Sequence, residues 1–152
     1  MSKTIFSCVL LLCFGVNALA QSATPRDTVR EGFAFYFKDF KLEHQGEAHT
    51  LQIAVRYDYV SGIADKDYPN YVPIAQLVEK FLTDYPNENT FWEIVNKQLT
   101  QRLLDDYPAL AWVTCEIHVA PSQRLKLGRT SFVTRERQRQ PGEASKKEKK
   151  QK

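Results

Sequence analysis

The chain has 152 residues, 43% of them hydrophobic and 26% charged, with a formal net charge of +3 at pH 7. That length fits one domain with a core of its own. Of three cysteines only Cys115 lies beyond residue 13, which excludes a small disulfide-stapled scaffold.

Residues 1–20 read as an export signal. Lys3 gives a positive start, residues 5–16 form an apolar run too short for a comfortable bilayer span, and "ALA" at 18–20 supplies small residues before a cut at Gln21. The expected location is the periplasm or the outside of the cell, with no membrane span in the mature chain. Residues 21–31 read as a polar leader. The charge is uneven: residues 21–134 carry a net −3, and residues 135–152 carry a net +5. The stretch 137–152, "RQRQPGEASKKEKKQK", has no large apolar side chain and is expected to be disordered. It serves either as a solubilising end or as a contact for an anionic partner.

The folded part is expected over 32–136. Phe33, Phe35 and Phe37 alternate with small or polar residues; Phe40 and Leu42 then continue the apolar side one phase later. Such a phase change predicts a bulge near Lys38 and Asp39. "HQGE" at 44–47 is a turn, and Leu51, Ile53, Val55, Tyr57 and Tyr59 alternate cleanly after it, so the two strands form an antiparallel hairpin. A polar connection leads to Asn70, a helix cap with Pro73 in the first turn. Ile74, Leu77, Val78, Phe81 and Leu82 make one helical face. The helix stops at "DYP", 84–86. A second helix opens near Thr90, carries Phe91, Val95, Leu99 and Leu103 on one stripe, and stops at another "DYP", 106–108. Residues 112–119 alternate as a strand with Val113, Cys115, Ile117 and Val119 on one side. After the loop "APSQRLKLG", "RTSFVTR" forms the last strand. The expected class is α+β, with the order ββααββ and a four-stranded antiparallel sheet packed on one face by two helices.

Few motifs carry chemistry. There is no glycine-rich phosphate loop, no C-x-x-C pair and no G-x-S-x-G serine. Cys115, on an alternating strand, reads as a buried inert thiol. His44, His49 and His118 are the only histidines; the first two flank the hairpin turn as surface residues, and a metal site of three imidazoles is a remote alternative. Asp105 and Asp106 adjoin and do not face each other, so they are not an acid pair. Arg124, Lys126 and Arg129 gather in and beside the last loop. Glu93 stands out: Thr90-x-x-Glu93 has capping-box spacing, and the same acid opens the second helix beside Trp92.

The element order, with "YVPIAQLVEKFL", "FWEIVNKQLTQRLL" and "VTCEIHVAPS", resembles the tunnelling fold over about residues 33–134, most of all the dihydroneopterin aldolases. That resemblance implies subunits joined edge to edge into barrels and a flat pterin or purine-like ring bound between neighbouring copies. It gives Glu93 the role of ring anchor, with Trp92 and Tyr71 as pocket walls; Tyr71 read alone is an ordinary half-buried aromatic. A carboxylate with two free oxygens matches two adjacent ring N–H donors. The aldolases' lysine after the third strand is replaced by Ala120, and no other residue is assigned as catalytic. Lys126 lies farther along that loop. If any reaction occurs, the resemblance implies a pterin-related lyase; no cofactor is implied. The alternative is a non-enzymatic assembly module in which Glu93 caps its helix and the basic tail meets an anionic partner.

Overall fold

The computed structural model describes residues 30–138. The segment expected to be an export signal, most of the expected polar leader and the tail beyond Gln138 lie outside these residues. In chain order the elements are β1 (Gly32–His44), β2 (Glu47–Tyr59), a short 3-10 turn (Asp65–Asp67), α1 (Tyr71–Thr83), α2 (Trp92–Asp106), β3 (Leu110–Val119) and β4 (Arg129–Glu136). The strands form one antiparallel sheet in the order β1-β2-β3-β4. The fold is α+β, as expected. The connection read as merely polar contains the 3-10 turn, and the two helices are not equivalent: α2 lies against β3 and β4, whereas α1 meets the sheet lightly, at β1.

Alternation decides which face of the sheet is buried. Leu51, Ile53, Val55 and Tyr57 on β2 and Val113, Cys115, Ile117 and Val119 on β3 are all buried. Val55 pairs with Phe35 on one side and Cys115 on the other, so the inward rows align across the sheet. Ile74, Val78 and Leu82 from α1 and Val95, Leu99 and Leu103 from α2 complete one core. Each such side chain contributes about 1.5–3 kcal/mol on leaving water. The bulge sits where the phase changes: Phe37 pairs with Ile53 and Phe40 with Leu51, leaving Lys38 and Asp39 opposite one residue. Asp39 takes up the extra length at φ 53°. Both phenylalanines therefore pack against the core.

Polar groups fix α2 more closely than its apolar stripe alone would. Asn96 is fully buried beneath the helix, and its Nδ2 donates to the Cys115 carbonyl (2.9 Å) and to Ser131 Oγ (3.2 Å). At the far end of the helix, the Arg137 guanidinium donates to the carbonyls of Leu104, Tyr107 (3.2 Å) and Leu110 (3.1 Å). A cation there satisfies the last unpaired carbonyls and complements the helix dipole. Helix α1 begins as expected, with Asn70 Oδ1 accepting from the Val72 amide at 2.9 Å. No helix among the described residues is long and apolar enough to cross a membrane.

The outward rows of the sheet are mixed in character. Tyr36, Ala54, Glu116 and Phe132 lie in register across all four strands, with Tyr36 and Phe132 strongly exposed. The next row runs Gln52, His118, Thr130, and the His118 ring is tied to Thr130 by a 2.8 Å hydrogen bond between Nδ1 and Oγ1. Among the described residues β1 and β4 each have a strand partner on one side only.

Candidate functional site

The pairing register gives the sheet two ends with different contents. One end holds the β1–β2 turn, the start of α2 and the loop after β3. The other holds the start of β1, the start of α1 and the end of α2. A 13-residue strand joins them.

At the turn end, α2 starts later than its sequence implies. Phe91 is the N-cap, with no side-chain cap bond, and Trp92 is the first helical residue. Thr90 is therefore displaced from the capping position, and its carbonyl is used instead: His44 Nε2 (2.7 Å) and Gln45 Nε2 (2.9 Å) both donate to it. The capping box does not form. Glu93 sits exposed in the first turn of α2, with no hydrogen bond or ion pair to the described residues. Its charge is favoured there by the helix dipole. The residues on either side divide. Phe91 is 71% exposed, a flat ring in solvent beside the carboxylate, whereas Trp92 is only 6% exposed. Trp92 turns inward onto His44 (ring centroids 4.5 Å apart) and His49 (5.5 Å). It supports the start of α2 from beneath and does not wall an open cleft.

The histidines also depart from the surface residues expected near a turn. His44 and His49 are both buried. Their rings lie under the turn because residues 44 and 49 fall on the inward side of a hairpin whose loop is only Gln45 and Gly46, both at positive φ. No group of three or more His, Cys, Asp or Glu side chains gathers as a metal site would among the described residues.

Tyr71 is at the other end. It opens α1, is 48% exposed, and stacks on Phe33 with ring centroids 4.9 Å apart and planes 20° from parallel. Phe33 and His44 are separated by nearly the whole of β1, roughly 35 Å at the usual strand rise. Glu93 and Tyr71 therefore do not meet within one copy. Surface hollows among the described residues include one of about 420 Å³ along the outer side of α2 (Phe81, Ile94, Lys97, Gln101) and one of about 340 Å³ on the outward sheet face (Tyr36, Lys38, Gln52, Glu116, His118). Neither is lined by Glu93, Trp92 or Tyr71.

Ala120 follows β3 half-buried, its amide donating to the Thr50 carbonyl at 3.0 Å, and brings no proton-moving group. Lys126 is exposed in the following loop. Burial pushes the Cys115 thiol up to about 12, as befits an inert core side chain. The chain matches no protein-family model and no curated protein.

Sequence reasoning missed Phe91 and Asn96. Spacing places Phe91 on the buried stripe, but the late helix start rotates it outwards. Asn96 carried a signal that went unread: a polar residue one position after Val95, on a face that is otherwise apolar.

Proposed function

We propose that the protein is a tunnelling-fold-like module, related in design to the dihydroneopterin aldolases, that binds a small planar heterocycle of pterin or purine type at the boundary between two copies. The observation that carries this reading is the placement of two exposed groups. Glu93, a carboxylate with no partner among the described residues, stands beside the exposed Phe91 ring at one end of the sheet, and a stacked aromatic pair, Tyr71 on Phe33, stands at the other. A second copy joined antiparallel along β1 would set the aromatic pair of one against the carboxylate end of the other. The single-sided edges of β1 and β4 and the half-apolar outward face support such joining. The helices inserted between two hairpins support the fold assignment. Glu93 accepts two ring N–H bonds, Phe91 and Tyr71 lie against the faces of the ring, and Trp92 holds the anchor in place. The module acts after export through residues 1–20. No catalytic residue is assigned, since Ala120 stands where the aldolases have lysine.

Isothermal titration with neopterin, biopterin and urate, beside light scattering, tests the proposal. The expected result is an oligomer that binds at least one of the three, with affinity reduced about tenfold or more in Glu93→Gln, equivalent to about 1.4 kcal/mol. A strict monomer, no binding by the wild type, or equal binding by Glu93→Gln would refute it.

A further inference from the structure

We infer that His44, His49 and Trp92 form a proton-operated latch that clamps the β1–β2 turn onto the start of α2 at neutral pH and releases it in mild acid.

Three hydrogen bonds tie the turn to the connection between the helices. His44 Nε2 and Gln45 Nε2 donate to the Thr90 carbonyl, and the Gly46 amide donates to Asn87 Oδ1 at 2.9 Å. A fourth bond lies inside the hairpin, where His49 Nε2 donates to the His44 carbonyl at 3.0 Å. Carbonyl oxygens only accept, so these contacts fix the tautomers: each neutral ring carries its proton on Nε2 and leaves Nδ1 bare. For His49 that bare nitrogen is buried with no partner among the described residues, and the same holds for Trp92 Nε1. A proton added at His49 Nδ1 would make a second donor beside the Trp92 ring, whose own unpartnered Nε1 can only donate.

The charges around His49 add to this. From β2 itself comes Glu47, which favours the cation. From β4 comes Arg129, which opposes it, and the His44 ring of β1 opposes it weakly. The helix side contributes uncharged rings, Trp92 against both imidazoles and Tyr85 against His44. Burial is the largest influence and holds the His49 imidazole below its ordinary 6.5; the hydrogen bond to the His44 carbonyl opposes burial without overcoming it. The sign follows. The closed latch keeps His49 neutral, whereas a released ring takes a proton near 6.5. Opening therefore takes up a proton. The closed form is fully favoured above 6.5 and loses ground as pH falls through 6.5 towards the depressed value, by no more than about fivefold in the opening equilibrium over the first pH unit.

Release would free the segment that carries Phe91 and Glu93 from its anchor at Thr90, while the core of the sheet, built from β2 and β3, stays closed. The latch needs no ligand and stands whether or not the ring-binding proposal does. Hydrogen-exchange protection of the Gly46 amide and of residues 89–94, corrected for intrinsic rates, tests it between pH 7.5 and 5.5. Protection is expected to fall by up to about fivefold between pH 6.5 and 5.5 in the wild type and to stay level in His49→Gln, which keeps an N–H donor for the His44 carbonyl. Equal loss in both proteins, or constant protection in the wild type, overturns the latch. Should His49→Gln not fold, a Trp112→Phe protein leaves Trp92 as the only tryptophan: its selectively excited emission and the His49 ring resonances must then move with one midpoint, and separate midpoints reject the idea.

Discussion

Replacing Asn96 with alanine is expected to cost about 2–3 kcal/mol of folding stability. The side chain is fully buried between α2 and the sheet, and its Nδ2 donates to the Cys115 carbonyl at 2.9 Å and to Ser131 Oγ at 3.2 Å. Removing the amide forfeits about 1 kcal/mol of net hydrogen bonding and leaves a buried carbonyl with one partner fewer, about 1–3 kcal/mol more. The Asn96 Oδ1 atom has no partner among the described residues, so its removal returns part of that cost. For a domain of this size the expected fall in melting temperature is about 10 °C. Asn96→Asp is expected to be worse, because it sets an acceptor-only carboxylate against carbonyl oxygens in a closed space. Urea denaturation followed by circular dichroism measures both, with unchanged slopes showing that the unfolding transition is the same. A loss below about 0.5 kcal/mol for alanine, or aspartate tolerated as well as alanine, would refute the idea that this amide pegs the helix to the sheet.

Arg137→Ala should lower stability by about 1.5–2 kcal/mol, since three carbonyls at the end of α2 and beyond lose a shared charged donor; chemical denaturation decides. Glu93→Ala should move stability by no more than about 0.5 kcal/mol, against about 1 kcal/mol for a true cap; a melt that drops as for a lost cap contradicts the exposed first-turn placement. Burial holds the Tyr57 and Tyr107 phenols above their ordinary 10, so the folded state favours their neutral forms; stability is expected to be whole below pH 10 and to decline above it, less steeply in Tyr57→Phe, as thermal melts from pH 8 to 11 will record. Cys115 should react with a thiol reagent at neutral pH only as fast as the chain unfolds, and a rapid native reaction would contradict its burial.

The strands were legible because alternation has a period of two and leaves no ambiguity about which side is buried. Phe37 followed by Phe40 was enough to place the bulge at Lys38 and Asp39, where the pairing shifts. Helix α1 was equally open to reading, since Asn70, Pro73 and the Ile74–Val78–Leu82 face all point to the same start. The start of α2 was not. Thr90 and Glu93 satisfy the local spacing of a capping box, but a long-range contact outweighs it: the turn of β1 and β2 takes the Thr90 carbonyl, and the helix begins after Phe91. That same contact buries His44 and His49, which local reading places on the surface. Glu93 lies in the first turn of α2, Phe91 lies off the buried stripe that its spacing predicts, and Trp92 is buried with that stripe and does not wall a pocket. Each of these depends on one residue of helical phase, about 100° of rotation, which no single-sequence pattern resolves at a helix end.

The displaced pair Lys38 and Asp39 has a consequence for what can attach along the outer rim of β1. A stray extended peptide would have to copy a kink halfway along its length, with an aspartate held in left-handed backbone and a lysine on the rim beside it. Generic polymerisation into fibres asks for straight, uncharged templates and is discouraged here. Only a counterpart shaped for that irregularity can run the full thirteen residues, so the deformation acts as a filter on company as much as a means of keeping two phenylalanines indoors.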